Sequence, residues 1–208
     1  MADRVMLFLD YQNVYRGARR TFVDESIAHH SHGQIHPVRL GELLVETSTF
    51  DRILEGVRVY RGQPDATRDP KGYAACSRQI ATWRQDDRVN VTSRTLKYPP
   101  GWSTPSQSGE KPQEKGIDVA LAIDFVRLAI EDRYDVGILM STDTDLKPAL
   151  EFVCDRGRAW GKLRAEVAAW STPDRQCRRL SVPKASLWCH WLDQSMYNQV
   201  RDLTNYAQ

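Results

Sequence analysis

The sequence predicts an α/β fold with a mostly parallel central sheet and helices on both faces. Three observations predict it. Within residues 4–9, Val5 to Leu9 form an unbroken apolar run, the pattern of a strand buried on both faces. Within residues 135–140, Val136 to Met140 repeat that pattern. Between and after them, segments of helical periodicity alternate with short strand-like segments, and such alternation builds parallel sheets through crossover helices.

The elements follow in order. The first strand, 4–9, stops at Asp10, and a helix over 13–20 opens at Asn13. Residues 21–37 read as a surface loop holding His29, His30, His32 and His36, whose spacing fits no specific metal site. Leu40, Leu43, Leu44 and Thr47 give a helix over 38–49, and Val57, Val59 and Tyr60 centre a strand over 52–61. A helix is expected over 69–86 and an alternating strand over 89–96. The Pro-, Gly- and Ser-rich stretch 98–114 reads as a loop. Residues 117–130 give the strongest helix, with Ile117, Leu121, Phe125 and Leu128 on one face. After the strand at 135–140, a helix over 145–155 tolerates Pro148 only in its first turn and is expected to end at Gly157. Strands at 165–170 and 186–191 and a closing helix over 193–203 complete the chain. At 208 residues this suits a single domain, with a core over 4–170 and a C-terminal extension, 171–208, packed on it.

Composition narrows the function classes. With 41% hydrophobic and 27% charged residues the chain is globular. No run approaches a membrane span, and the apolar run before Asp10 is too short for a signal-peptide core. Cys76, Cys154, Cys177 and Cys189 lack CxxC spacing, so a cytoplasmic home without disulfides or zinc is expected. Net charge is only +2, but it is unevenly spread. Residues 52–98 carry ten Lys/Arg against five acids and residues 147–184 nine against four, whereas residues 99–146 carry nine acids against four bases. An acidic pit between basic flanks suits a metal site with a phosphate-attracting rim.

The acids stand where elements begin or end. Asp10 closes the first strand, Asp118 opens the strongest helix, and Asp143 and Asp145 follow the 135–140 strand. With the first and fourth strands adjacent, Asp10 and Asp143 meet at the carboxyl ends of the strands, where such sheets bind ligands. Converging carboxylates repel one another unless a cation or proton lies between them. Mg²⁺ and Mn²⁺ accept such oxygens, and an ion so held activates water and neutralises phosphoryl charge. Each acid also has a capping role open to it: Asp10, Asp143 and Asp145 beside helix starts, Asp118 in a first turn. Asp124, six residues beyond Asp118, lies about 120° round the helix and is expected outside the pit. Asn13 and Ser141 orient a ligand or water, or cap; Lys115 holds a substrate phosphate or pairs with an acid. Neither GxGxxG nor GxxxxGK[ST] occurs, which removes the usual nucleotide cradles.

Asp10-Tyr11-Gln12-Asn13, then Lys115-Gly116-Ile117-Asp118 with Asp124, then Ser141-Thr142-Asp143-Thr144-Asp145 resemble, in order and spacing, three motifs of NYN-domain proteins in the PIN-like nuclease superfamily. The resemblance implies a three-layer α/β/α fold of Rossmann-like topology and an Mg²⁺- or Mn²⁺-dependent ribonuclease. Asp10, Asp118, Asp143 and Asp145 would form its metal pocket, with Asn13 and Ser141 close by. Thr142 stands where glycine is common, and Leu146 where an aromatic is. The expected partner is single-stranded RNA, with DNA as the competing substrate, and a homodimer or protein contact through residues 171–208. Arg58, Arg61, Arg94, Lys97, Arg156, Arg158 and Lys162 are candidate backbone contacts, and Tyr98 and Trp102 either stack on a base or pack within their loop. The alternative is a catalytically weak or inactive nucleic-acid- or protein-binding module of the same fold.

Overall fold

The computed structural model describes residues 1–24, 26, 29–102, 111–176, 178–183 and 185–208, with the backbone alone at 175 and 176. The stretch 103–110 within the Pro-, Gly- and Ser-rich loop, and Cys177, lie outside the described residues.

Strand β1 (Asp3–Asp10) is followed by α1 (Tyr11–Phe22), α2 (Pro37–Glu46), β2 (Arg52–Gln63), α3 (Pro70–Trp83) and β3 (Val89–Thr95). Helix α4 (Ile117–Ile130) crosses back to β4 (Val136–Met140). A 3₁₀ turn (Thr144–Leu146) leads into α5 (Lys147–Trp160) and β5 (Arg164–Thr172). The two-residue β6 (Arg175–Gln176), β7 (Cys189–Leu192) and α6 (Gln194–Val200) complete the described elements.

The strands order as β3-β2-β1-β4-β5, with β7 parallel to β5 and the short β6 antiparallel to it. β1 is parallel to both β2 and β4, pairing Leu7 with Val57 on one side and Ile138 on the other. The chain leaves β1 in one direction across the sheet and returns to its other side at β4. Ligands in open α/β sheets bind at that reversal.

Alternate side chains of the strands feed two cores. Val5, Leu7, Leu9 and Tyr11 pack with α1, α2, α3 and α6 on one face. Met6 and Phe8 pack with α4 and α5 on the other, so the fold has three layers. Residues Val5 to Leu9 are at most 3% exposed, which explains the unbroken apolar run: none of these five side chains faces water. Each such side chain contributes about 1.5–3 kcal/mol through its burial.

Two expectations are corrected. Helix α5 does not end at Gly157 but runs on to Gly161, whose positive φ of 77° supplies the left-handed cap. Glycine is needed at the interior position 157 because a Cβ there would strike the Leu163 carbonyl oxygen. The second concerns the histidine segment, whose end is packed rather than a surface loop. Ile35 is fully buried, the Gly33 amide donates to Tyr197 Oη at 2.8 Å, and the His36 amide donates to the Val200 carbonyl at 2.8 Å. Residues beyond 171 thus contribute both a strand of the sheet and a helix that seals this segment.

A buried ion cluster spans the sheet. Arg52 on β2 makes a bidentate pair with Glu166 on β5, and His190 Nε2 on β7 lies 2.7 Å from the same carboxylate. Burial raises the Glu166 pKa, but hydrogen bonds from His190 and Arg52 outweigh it and hold the carboxyl down at about 2.

Candidate metal centre

The carboxyl ends of β1 and β4 set the site. Side chains alternate along a strand, so Asp10, two residues beyond Phe8, points to the α4 face. It is 6% exposed, and desolvation raises its pKa. Three donors offset this: the Asn13 amide at 3.2 Å, Asn13 Nδ2 at 2.5 Å and Ser141 Oγ at 3.0 Å. The charge of Asp143 pushes the pKa up again. Asp10 therefore both caps α1 and faces the acids of the β4 turn.

Ser141 connects the two strand ends. Its hydroxyl donates to Asp10 and accepts from the Asp143 amide at 3.0 Å. The Thr142 hydroxyl donates to Asn13 Oδ1 at 2.7 Å, which leaves the Asn13 amino group aimed at Asp10. Beyond it, Asp143 accepts the Asp145 amide at 3.0 Å, while fully buried Leu146 anchors the 3₁₀ turn as a core residue.

Asp118 lies in the first turn of α4 and reaches the same place from the opposite wall. One carboxylate oxygen each from Asp118, Asp143 and Asp145 lies within 4.8 Å of the others. Oxygens around one Mg²⁺, each at about 2.1 Å, stand roughly 3–4.2 Å apart, so a small inward adjustment closes the set on one ion. The donors are all carboxylate oxygens, the chemistry of a hard divalent cation. Two of the three are half-buried and Asp145 is exposed, so the site opens to solvent. Asp145 and Asp118 lie at the N-terminal ends of α5 and α4, whose dipoles offset part of the mutual repulsion.

The remaining candidates are placed as follows. Asp124 is turned away from the triad: it accepts the Tyr60 hydroxyl at 2.8 Å and pairs with Arg127 at 3.1 Å. Lys115 is exposed in the turn entering α4. Arg61 is half-buried, over the Tyr11 and Trp83 rings and bonded to Gln79. Arg156 covers the Phe152 and Trp160 rings, and Arg158 pairs with Asp155. Tyr98 packs against the segment between β2 and α3: it takes the Asp65 amide at 3.1 Å and lies under Arg68, edge-on to Trp102.

One acid beside the site has no signal in the sequence. Glu114 accepts the Gly62 amide at 2.6 Å, and its pKa is raised by burial and by the charge of Asp10. It ends an irregular loop, where a single acid carries neither period nor spacing.

No helix among the described residues is long and apolar enough to cross a membrane. The sequence model of the NYN domain matches residues 4–171. No curated protein matches the chain. One similar solved structure, of a protein of unknown function from Vibrio parahaemolyticus, is 16% identical with a TM-score of 0.46, covering 96% of this chain and 90% of that one.

Proposed function

The chain belongs to the NYN domain family, and from that premise we propose that it is a divalent-metal-dependent ribonuclease using Mg²⁺ or Mn²⁺. The observation that carries the reading is the convergence of Asp118, Asp143 and Asp145 oxygens within 4.8 Å of one another, beside buried Asp10. A divalent ion held there supplies an activated water and neutralises charge on the phosphoryl oxygens.

The chain's own residues do the rest. Asp118, Asp143 and Asp145 hold the ion, and Asp10 adds a fourth negative charge from the β1 end. Asn13 and Ser141 keep the Asp10 carboxylate in one orientation, so the charge is in place before substrate arrives. Lys115 takes a substrate phosphate at the mouth. Arg94, whose Nη1 lies 3.0 Å from where a Cβ on Gly116 would stand, adds positive charge beside the same turn. Single-stranded RNA suits this arrangement because an open acidic pit between basic flanks admits a bare backbone.

Labelled single-stranded RNA incubated with the protein in Mn²⁺, Mg²⁺ or EDTA tests the reading, with single-stranded DNA in parallel. Cleavage of RNA that needs metal and is lost in folded Asp143→Asn and Asp10→Asn is expected. Binding without cleavage under every metal would make the protein a noncatalytic RNA-binding module instead, and preferential cleavage of DNA would reassign the substrate.

A further inference from the structure

A cleft of about 380 Å³ opens between α1 and β5, and none of the four site acids lines it. Asn13, Ser141 and Thr142 form its inner end, the same residues that hold Asp10 and the β4 turn. Val14, Ala168 and Trp170 make an apolar wall. The indole is fixed in that wall, since Trp170 Nε1 donates to the Val14 carbonyl at 3.0 Å. Arg20 and the exposed Arg178 stand at the rim.

We propose that this cleft receives one unstacked nucleoside of a single-stranded RNA whose adjoining phosphate lies at the carboxylate triad. The inference rests on the ribonuclease reading above and names a binding site that the metal chemistry alone does not require. Volume is the first argument: the space falls in the roughly 300–1,000 Å³ range of small-ligand sites, enough for a nucleoside and far too little for a base pair with its backbone. Position is the second, because Asn13 and Ser141 line the cleft and also donate to Asp10, the buried acid beside the triad. Polarity is the third: an apolar wall accepts a base, and the exposed Arg178 at the rim accepts a phosphate beside it. Small side chains keep the space open. Ala168 projects from β5 where a larger residue would fill the cleft, and a Cβ on Gly17 would press on Trp170 Cδ1 at 3.0 Å.

Short single-stranded RNAs carrying 2-aminopurine at successive positions, bound to the full chain in EDTA, test this without cleavage. Emission is expected to rise at one position, where the base leaves its stack. Ala168→Leu, which fills the cleft, should abolish that rise and weaken binding about tenfold. An abasic nucleotide at the responding position should weaken binding to the wild type similarly and remove the difference between wild type and Ala168→Leu. Arg178→Ala, at an exposed position, should reduce affinity without changing the unfolding midpoint, and it serves if Ala168→Leu does not fold. RNA binding with no responding position, no RNA binding at all, equal losses on intact and abasic RNA, or AMP binding as tightly as the RNA would each overturn the proposal. A responding position without metal-dependent cleavage retains the cleft and removes the nuclease; cleavage indifferent to both Ala168→Leu and the abasic substitution does the reverse.

Discussion

Ser141 Oγ donates a hydrogen bond to Asp10 Oδ2 at 3.0 Å across 131 residues of sequence. The same oxygen accepts the Asp143 amide, so one hydroxyl sets the relation between the acid of β1 and those of the β4 turn.

Ser141→Ala removes that hydroxyl and leaves a buried carboxylate short of a donor. A loss of about 1–3 kcal/mol is expected from urea unfolding. Mn²⁺ affinity measured by calorimetry should fall roughly 10–100-fold, as when a partner that orients metal ligands is lost.

Asp118 and Asp124 share a helix and separate by role. Asp118→Asn should lower Mn²⁺ affinity while leaving stability nearly unchanged. Asp124→Asn should leave Mn²⁺ affinity unchanged and cost under about 1 kcal/mol, because its pair with Arg127 is exposed and an amide oxygen still accepts the Tyr60 hydroxyl. A reversed pattern in the two titrations would dissociate Asp118 from the metal site.

The Glu166 cluster sets an acid limit. Its folded pKa of about 2 lies below the ordinary value of 4.5, so its contribution is fully present above about pH 4.5 and lost as pH falls through about 2. Unfolding free energy should therefore decline over that window. Glu166→Gln should flatten the Glu166 contribution and cost about 3–5 kcal/mol at neutral pH, because Arg52 is left buried without its counter-charge.

Gly157→Ala places a methyl against a backbone oxygen that has no free rotation to yield. A loss of about 1–3 kcal/mol is expected, read as a lower Tm.

What was legible in the sequence followed from local pattern. β1, β4 and α4 were readable because burial on both faces writes an apolar run, and burial on one helix face writes a period, as in Ile117, Leu121, Phe125 and Leu128. The Asp118–Asp143–Asp145 group was readable from motif spacing, and the 120° offset of Asp124 follows from helix geometry alone. The rest depended on distant partners. The packed end of the histidine segment needs Tyr197 and Val200, more than 160 residues away. Glu114 needs the Gly62 amide, 52 residues back. Gly157 reads as a terminator because glycine favours helix ends, whereas the approach of Leu163 requires glycine inside the helix.

The most direct measurement is an anomalous difference map from crystals of the wild-type protein soaked in Mn²⁺. A peak within bonding distance of the Asp118, Asp143 and Asp145 carboxylates, absent from Asp143→Asn crystals, is the predicted result. An empty triad, or a peak confined to another place such as the His29–His32 segment, would contradict it.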